Sequence, residues 1–189
     1  MPAAPLGTVS GLVLAAGAGR RFGGPKALAR TRAGTPWIAL VARALVEGGC
    51  HDVTVVLGAE ADAATALVPT GVSVVRAEDW ATGVAASLRA GLEALASGPS
   101  HSVVVLPVDT PDVPASAVTR VARGARRDAL AQATYDGAPG HPVLLGRDHW
   151  APVAASIRGD IGARPYLIAQ DAQLVECGDL WSGVDHDTR

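Results

Sequence analysis

Residues Gly11 to Leu28 read GLVLAAGAGRRFGGPKAL, and this stretch is the strongest indication of the fold. It opens with an apolar run, Leu12 to Ala16, whose length suits a buried strand. The run leads into a loop that contains four glycines, two adjacent arginines and Pro25-Lys26. Glycine lets the backbone turn sharply and bring bare N–H groups against an anion, and the cations neutralise that anion. A strand that ends in such a loop indicates a phosphate-binding site.

Lys26 is the only lysine of the chain, because the other fifteen of its sixteen basic residues are arginine. Lysine carries a compact, movable ammonium, so a single lysine in a loop of this kind suggests a dedicated role. The alternative is that a GC-rich genome favours arginine and that Lys26 has no special role.

The spacing of this loop differs from that of two well-known phosphate-binding motifs. A Walker loop needs a hydroxyl residue directly after its lysine, and Ala27 stands there. The dinucleotide fingerprint needs G-x-G-x-x-G, but Gly17, Gly19 and Gly23 are spaced G-x-G-x-x-x-G, and no carboxylate occurs from Trp37 to Leu40. Neither motif is therefore present.

Length and composition limit the class of protein. The chain has 189 residues, 49% hydrophobic and 18% charged, which predicts one globular domain over 1–189. A net charge of −2 predicts no general affinity for nucleic acid or for an anionic membrane. Cys50 and Cys177 lack metal-binding spacing, which predicts two buried thiols in a reducing compartment. No stretch of the sequence is apolar over the length of a membrane span, and no basic segment precedes the first apolar run. We therefore expect a soluble, cytoplasmic protein.

Strand-like and helix-like stretches alternate after the loop. Apolar runs predict buried strands at 53–57, 72–75 and 103–108. The first helix is expected to open at Thr35-Pro36, with the threonine hydroxyl as its cap, and to end at Gly48-Gly49. Further helices are expected at 60–67, 83–98 and 114–123. This alternation predicts a three-layer α/β fold of Rossmann-like type, with a doubly wound, mostly parallel sheet.

Beyond residue 130 the alternation is less regular. Residues 131–135 and 142–145 flank Asp136-Gly137 and Pro139-Gly140, which predicts a pair of added strands able to pair antiparallel. Short helices at 149–157 and 164–169, and a strand at 173–176, complete the prediction.

A carboxylate follows the predicted strand 103–108 directly, because the chain continues into Asp109. In an open parallel sheet, ligands bind beyond the carboxyl ends of the strands, where the glycine loop also lies. A magnesium ion on triphosphate oxygens suits such a carboxylate, since Mg²⁺ takes oxygen ligands and usually only one or two protein carboxylates. The alternative is that Asp109 caps the turn that follows it.

Position by position, Leu14 to Lys26 matches the signature L-A-A-G-x-[S/G]-x-R-[M/F/Y]-G-x-x-K. The chain thereby resembles the MobA/MocA-like nucleotidyltransferase family, whose enzymes attach a nucleotide to the molybdenum cofactor. This resemblance implies a sheet of the nucleotide-diphospho-sugar transferase type. Leu106 to Val113 resembles the run in which the family places a metal-binding Asp, which implies Asp109 as a ligand and Asp112 as a turn residue.

Further segments extend the resemblance over nearly the whole chain. Val184 to Thr188 is similar to the family's second metal-binding run, D-[I/V]-D-T-P, with Asp185 favoured as the ligand, Asp187 left open and His186 in place of an aliphatic residue. The alternative is a frayed polar tail. Residues 79–88 resemble W-x-x-G-[M/L]-x-x-S-L at the nucleotide pocket, and 137–144 and 159–164 resemble the acceptor-side runs G-x-P-G-H-P-V-L and G-D-x-G-A-R.

The resemblance implies Mg²⁺-dependent transfer of CMP from CTP to a phosphorylated, molybdopterin-type acceptor, with a molybdenum hydroxylase as the recipient. It implies catalytic roles for Lys26, Arg21 and Asp109, and a metal site at Asp109 and Asp185. The expected nucleotide contacts are Leu14, Ala15, Ala16, Gly17, Gly19, Lys26, Trp80, Gly83 and Ser87, and the expected acceptor contacts are His141 and Arg164.

Two other functions stay open. Some actinobacterial proteins on this scaffold resemble an NAD(P)H-dependent nicotine blue oxidoreductase, and the R-R-F-G form of the loop fits that branch. We find no ribose-binding acid after the second strand, and both metal positions are retained, which favours the transferase. A non-catalytic nucleotide or cofactor carrier is the third class, and it predicts that Asp109→Ala leaves function unchanged.

Overall fold

The computed structural model describes residues 8–187, so Thr188 of the tail motif lies outside the described residues. The strands are β1 (Val9–Ala15), β2 (Asp52–Leu57), β3 (Ser73–Arg76), β4 (Ser102–Pro107), β5 (Leu130–Tyr135), β6 (Ala138–Gly146) and β7 (Gln173–Glu176). The α-helices are α1 (Trp37–Glu47), α2 (Ala61–Thr65), α3 (Val84–Leu95), α4 (Ala115–Ala122), α5 (Trp150–Ser156) and α6 (Arg164–Ala169). Short 3₁₀ turns occupy Lys26–Leu28, Trp80–Thr82 and Arg147–His149.

The strands form one sheet in the order β3-β2-β1-β4-β6-β5-β7. β1 pairs in parallel with β2 and with β4, and β2 pairs in parallel with β3. β6 is antiparallel to both of its neighbours, β4 and β5, whereas β7 is parallel to β5. The prediction of a mostly parallel sheet with an added antiparallel pair is confirmed.

Helices cover both faces of the sheet, as the three-layer prediction requires. Successive residues of β1 point to opposite faces because side chains alternate along a strand. Val13 joins a core that includes Leu45 of α1 and Val118 of α4. Leu12 joins a second core that includes Leu88 of α3 and Val153 of α5. Both cores lie against β1, so the loop that follows this strand emerges from the most buried part of the fold.

The structure corrects the predicted start of the first helix. α1 begins at Trp37, Pro36 is its cap residue, and no side chain caps its amides. Thr35 belongs instead to a tight loop with Thr31, whose backbone N–H donates to the Thr35 carbonyl at 2.9 Å and whose hydroxyl accepts from the Thr35 N–H at 3.2 Å. The turn holds the Thr35 backbone one residue before the cap position, which Pro36 occupies.

The prediction that Cys50 and Cys177 are buried thiols is confirmed. No helix between residues 8 and 187 is long and apolar enough to cross a membrane.

Candidate functional site

A cleft of about 530 Å³ opens at the carboxyl ends of β1 and β4. It lies where the sheet topology predicts a ligand site, because the loops after parallel strands converge at that edge. Most of the predicted site residues line it: Leu14, Ala15, Ala16, Gly17, Gly19, Arg21, Lys26, Trp80, Gly83, Ser87, Asp109 and His141.

Two glycines of the loop after β1 have different roles. The Gly19 carbonyl accepts hydrogen bonds from the N–H groups of Gly23 at 3.0 Å and Gly24 at 3.1 Å. Gly19 has a φ of +57°, and a Cβ there would lie 2.0 Å from the Gly24 oxygen, so only glycine fits. A Cβ at Gly17 would meet nothing within 4 Å. Gly19 therefore shapes the loop, and Gly17 leaves its backbone open to the cleft.

Lys26 lies at the floor of the cleft between two carboxylates. Its Nζ donates to Asp109 Oδ2 at 2.8 Å and to Asp187 Oδ1 at 2.9 Å. Burial alone would lower the pKa of Lys26, but the hydrogen bonds to Asp109 and Asp187 raise it above its ordinary value. The Lys26 side chain is therefore a charged ammonium, and only 14% of it is exposed.

The negative charges of the carboxylates near Lys26 exceed its single positive charge. Asp109 Oδ1 is buried and has no hydrogen-bond partner within residues 8–187. Partial burial, and then the charges of Asp109 and Asp187, raise the pKa of Asp185, whereas the hydrogen bond from Lys26 lowers the pKa of Asp187. An unpaired buried carboxylate oxygen is costly unless a cation or water satisfies it. The donor set is thus suited to a cation with oxygen ligands.

The described residues do not form a complete metal centre by themselves. Between residues 8 and 187, no group of three or more His, Cys, Asp or Glu side chains is arranged to hold a metal ion. A cation beside Asp109 would therefore complete its coordination with water or with ligand oxygens, as magnesium does at phosphate sites.

The described part of the tail is packed against the body of the protein. The His186 N–H donates to the Asp109 carbonyl at 2.9 Å, and His186 Nε2 lies 2.8 Å from Asp112 Oδ2. The His186 ring also contacts Trp37, with ring centroids 5.4 Å apart. These contacts bring Asp187 to Lys26, so the tail up to Asp187 is not a frayed segment. Asp112 is a turn residue, as expected, and it also holds the tail.

Two predicted site residues do not line the cleft. Arg164 begins α6 and is exposed. Asp185 is not one of the lining residues: much of its surface is accessible, although its carboxylate is partly desolvated and interacts with the charge of Asp109. Asp187 lines the cleft in its place.

His141 lines the same cleft as Asp109, and the charge of Asp109 acts on its ring. Burial lowers its pKa, and the charge of Asp109 opposes that shift only in part. Its peptide bond to Pro142 is cis, and its carbonyl accepts a hydrogen bond from the Tyr135 hydroxyl at 2.6 Å. His141 therefore lines the cleft as a neutral ring on β6.

Sequence reasoning missed two carboxylates. Asp160 lines the cleft, and the acceptor-side run that contains it had pointed only to Arg164. Glu60 follows β2 by three residues and is thus an acid after the second strand, at the start of α2. Glu60 is not one of the residues that line the cleft, so it offers no ribose contact there.

The glycine loop, its lysine and the aspartate after β4 together define a nucleotide-transferring class of α/β protein. The chain belongs to the family of MobA-like NTP transferase domains, whose sequence pattern matches residues 11–174. Family membership makes nucleotidyl transfer the activity class of this chain and confirms the resemblance inferred from its motifs.

Among its relatives is the nicotine blue oxidoreductase of Paenarthrobacter nicotinovorans, 36% identical over 193 residues, with 95% of this chain and 92% of that protein covered. A nucleotidyl transferase from Methanothermobacter thermautotrophicus has a TM-score of 0.76 at 23% identity, covering 89% of this chain and 87% of its own. The structure of Rv0371c from Mycobacterium tuberculosis has a TM-score of 0.76 at 26% identity, and the match covers 90% of this chain and 87% of Rv0371c. A second structure of that protein, at 25% identity, is a complex with manganese, with a TM-score of 0.73 and coverage of 89% and 86%. The predicted fold class is confirmed.

Proposed function

We propose that this protein transfers CMP from CTP to the phosphate of a molybdopterin-type acceptor and releases pyrophosphate. The reaction would depend on Mg²⁺ and take place in the cytoplasm, on one domain that spans residues 1–189. The observation that carries this proposal is the position of Lys26, hydrogen-bonded to Asp109 and Asp187 at the floor of the cleft below the glycine loop.

The chain's own residues would act by placing charge. An oxygen of the acceptor phosphate attacks the α-phosphorus of CTP, the bond from that phosphorus to the β-phosphate oxygen breaks, and pyrophosphate leaves with the electron pair. Such a transfer needs positioning and charge neutralisation rather than a protein nucleophile. Lys26, Arg21 and the open backbone at Gly17 supply positive groups along one wall of the cleft. They would stabilise the triphosphate and the departing pyrophosphate.

Asp109 and Asp185 would hold the Mg²⁺ ion. The unpaired Asp109 Oδ1 and the raised pKa of Asp185 both favour a nearby cation. When bound, the ion supplies positive charge beside the phosphate oxygens. Asp187 remains the other candidate ligand, and its bond to Lys26 also supports a role in orienting the ammonium.

The acceptor would enter beside His141. Because burial lowers the pKa of His141, its neutral ring would hydrogen-bond the acceptor rather than attract it by charge. Arg164 is exposed outside the cleft lining, so it would meet an acceptor phosphate only if the acceptor extends toward α6. A molybdenum hydroxylase would then receive the product.

An NAD(P)H-dependent oxidoreductase is the second candidate. The 36% identity to nicotine blue oxidoreductase over 95% of this chain is the observation that favours it. The surplus of carboxylates around Lys26 favours the transferase, because hydride transfer from a nicotinamide cofactor has no use for a metal-binding carboxylate set.

A thermal-shift panel separates the two candidates. Purified protein is heated with CTP, GTP, ATP, UTP, NADH or NADPH, each with and without magnesium. A ligand that binds only the folded state stabilises it by roughly 2.7 kcal/mol at a hundredfold excess over Kd, which raises the midpoint by several degrees. We expect the largest rise with CTP and magnesium together. A rise with NADPH alone, independent of magnesium, would overturn the transferase in favour of the oxidoreductase.

A further inference from the structure

Asp160 is held on a tight turn against the start of α3. The Ile161 N–H donates to the Arg158 carbonyl at 2.9 Å, which closes the turn, and Gly159 within it has a φ of +54°. The Gly159 carbonyl accepts a hydrogen bond from the Ala85 N–H at 3.0 Å. These two bonds fix the backbone that carries the Asp160 side chain.

Gly83 shows how closely this turn is packed. A Cβ added to Gly83 would lie 2.3 Å from the carbonyl of Gly159 and 2.7 Å from Asp160 Oδ1. The Asp160 carboxylate therefore lies directly over the residue that precedes α3, within the wall of the cleft that also contains Ser87. The turn is a fixed part of that wall.

Asp160 differs from the two other carboxylates that line the cleft. Asp109 and Asp187 both bind Lys26, whereas Asp160 makes no hydrogen bond or ion pair with any residue from 8 to 187. A carboxylate accepts hydrogen bonds and repels phosphate. Asp160 is exposed to solvent, so a ligand that fills the cleft displaces the water around it and must present N–H or O–H groups to Asp160 while its phosphates bind at Lys26.

The surface next to Asp160 suits a flat ring. Trp80, Ala81 and Val84 line the cleft beside it, and Val84 is 37% exposed. Aromatic and aliphatic side chains pack against the faces of a planar heterocycle, and a carboxylate at the edge of the ring accepts hydrogen bonds from its N–H groups. This end of the cleft is thus matched to a nucleobase with an amino group.

We propose that Asp160 is a specificity-determining residue that accepts a hydrogen bond from the exocyclic amino group of the nucleobase and rejects uracil. This inference rests on the proposed function, because it assumes that a nucleoside triphosphate occupies the cleft. Uracil carries a carbonyl oxygen where cytosine carries the amino group, and a carbonyl facing a carboxylate leaves two acceptors in contact. The wild-type protein therefore binds CTP more tightly than UTP.

Asp160→Asn tests this assignment, because it keeps the shape of the side chain and adds an N–H donor. Isothermal titration with CTP and with UTP, both with magnesium, is made on the wild type and the variant. We expect CTP binding to weaken by about 10-fold or more, the effect of losing a hydrogen bond to a charged group. UTP binding should strengthen, because the new amide donates to the uracil carbonyl. Asp160→Ala should lose the preference for CTP without gaining affinity for UTP.

Glu78→Gln is the matched control. Glu78 is exposed in the loop before α3 and is not one of the residues that line the cleft, so this variant removes the same charge nearby without changing the ratio of CTP to UTP affinity. An unchanged ratio in Asp160→Asn would overturn the inference while leaving the transferase intact. Failure of the wild type to bind any triphosphate with magnesium would instead overturn the proposed function.

Discussion

Two clusters of charge tie the C-terminal segment to the body of the protein, and they differ in how completely their charges are paired. In the first, Arg120 binds both carboxylate oxygens of Asp179, with one of the contacts at 2.9 Å, and also donates to the Glu176 carbonyl at 2.9 Å. In the second, Lys26 alone binds Asp109 and Asp187, and Asp185 adds a further negative charge.

The difference separates a structural contact from a binding site. Among residues 8–187, the Arg120 cluster has no buried carboxylate oxygen without a partner. Arg120 binds both oxygens of Asp179, and the nearby Glu176 carboxylate accepts hydrogen bonds from Thr134 and Gly178, so the cluster serves to hold the chain. In the Lys26 cluster a buried oxygen of Asp109 has no partner among the described residues, and a folded protein retains such an oxygen when a ligand or ion completes the site. Surplus charge in a cleft, rather than the presence of an ion pair, indicates function here.

The largest expected effect is that of Lys26→Met. Methionine keeps much of the length of the side chain and removes the ammonium, so triphosphate binding should weaken by about 100-fold, the effect of losing charge-assisted hydrogen bonds. Isothermal titration with CTP and magnesium measures this. Lys26→Arg, which keeps the charge but changes its shape, should lie between the wild type and Lys26→Met. Equal affinity in the wild type and Lys26→Met would remove Lys26 from the binding site.

A smaller effect of opposite sign is expected for Asp187→Asn in the absence of metal. The Asp187 carboxylate occupies Lys26 where a phosphate oxygen would bind, so its neutralisation should strengthen binding of inorganic pyrophosphate by about 3- to 10-fold. Asp179→Asn removes the same charge from the same segment outside the cleft and should leave pyrophosphate affinity unchanged. Weaker pyrophosphate binding in Asp187→Asn would contradict the idea that the tail competes with the ligand.

With magnesium present, the same variant also separates the two candidate metal ligands. If Asp185 is the ligand, Asp187→Asn keeps the enhancement of CTP affinity by magnesium. Loss of that enhancement would assign the metal to Asp187.

The smallest effect is expected for Arg120→Met, which breaks the paired cluster. Exposed ion pairs contribute little, so the unfolding midpoint should fall by no more than a few degrees, and CTP binding should be unchanged. The hydrogen bond from Arg120 lowers the pKa of Asp179 below its ordinary 3.8. The pair therefore stabilises the fold above that pH, and its contribution is lost as the pH falls further. Thermal unfolding from pH 7 to pH 3 should show a steeper acid loss in the wild type than in Arg120→Met; equal slopes would contradict this.

The half of the sheet around β1 could be predicted from sequence because its signals are local. Leu12 and Val13 lie in an apolar run, the glycines follow at once, and Asp109 directly follows the next central strand. Parallel strands bring their carboxyl ends to one edge of the sheet, so the topology alone places the glycine loop beside Asp109.

Contacts between distant parts of the chain could not be predicted in the same way. Lys26 and Asp187 are 161 residues apart, and their pairing depends on how His186 packs on Trp37 and binds Asp112. The failed cap at Thr35 has a different origin, since a local turn with Thr31 holds the Thr35 backbone and Pro36 takes the cap position. Asp160 was missed, although the G-D-x-G-A-R run contains it, because its position over Gly83 depends on how the turn packs against the start of α3.

Asp109 is expected to give triphosphate binding its dependence on magnesium. Isothermal titration of CTP, with and without magnesium, into the wild type, Asp109→Asn and Glu60→Gln tests this directly. Glu60 follows β2, which is parallel to β1, but it does not line the cleft, so its variant is the matched control. We predict that magnesium strengthens CTP binding in the wild type and in Glu60→Gln but not in Asp109→Asn. Magnesium-enhanced binding in all three proteins, or none in the wild type, would show that Asp109 does not hold the metal.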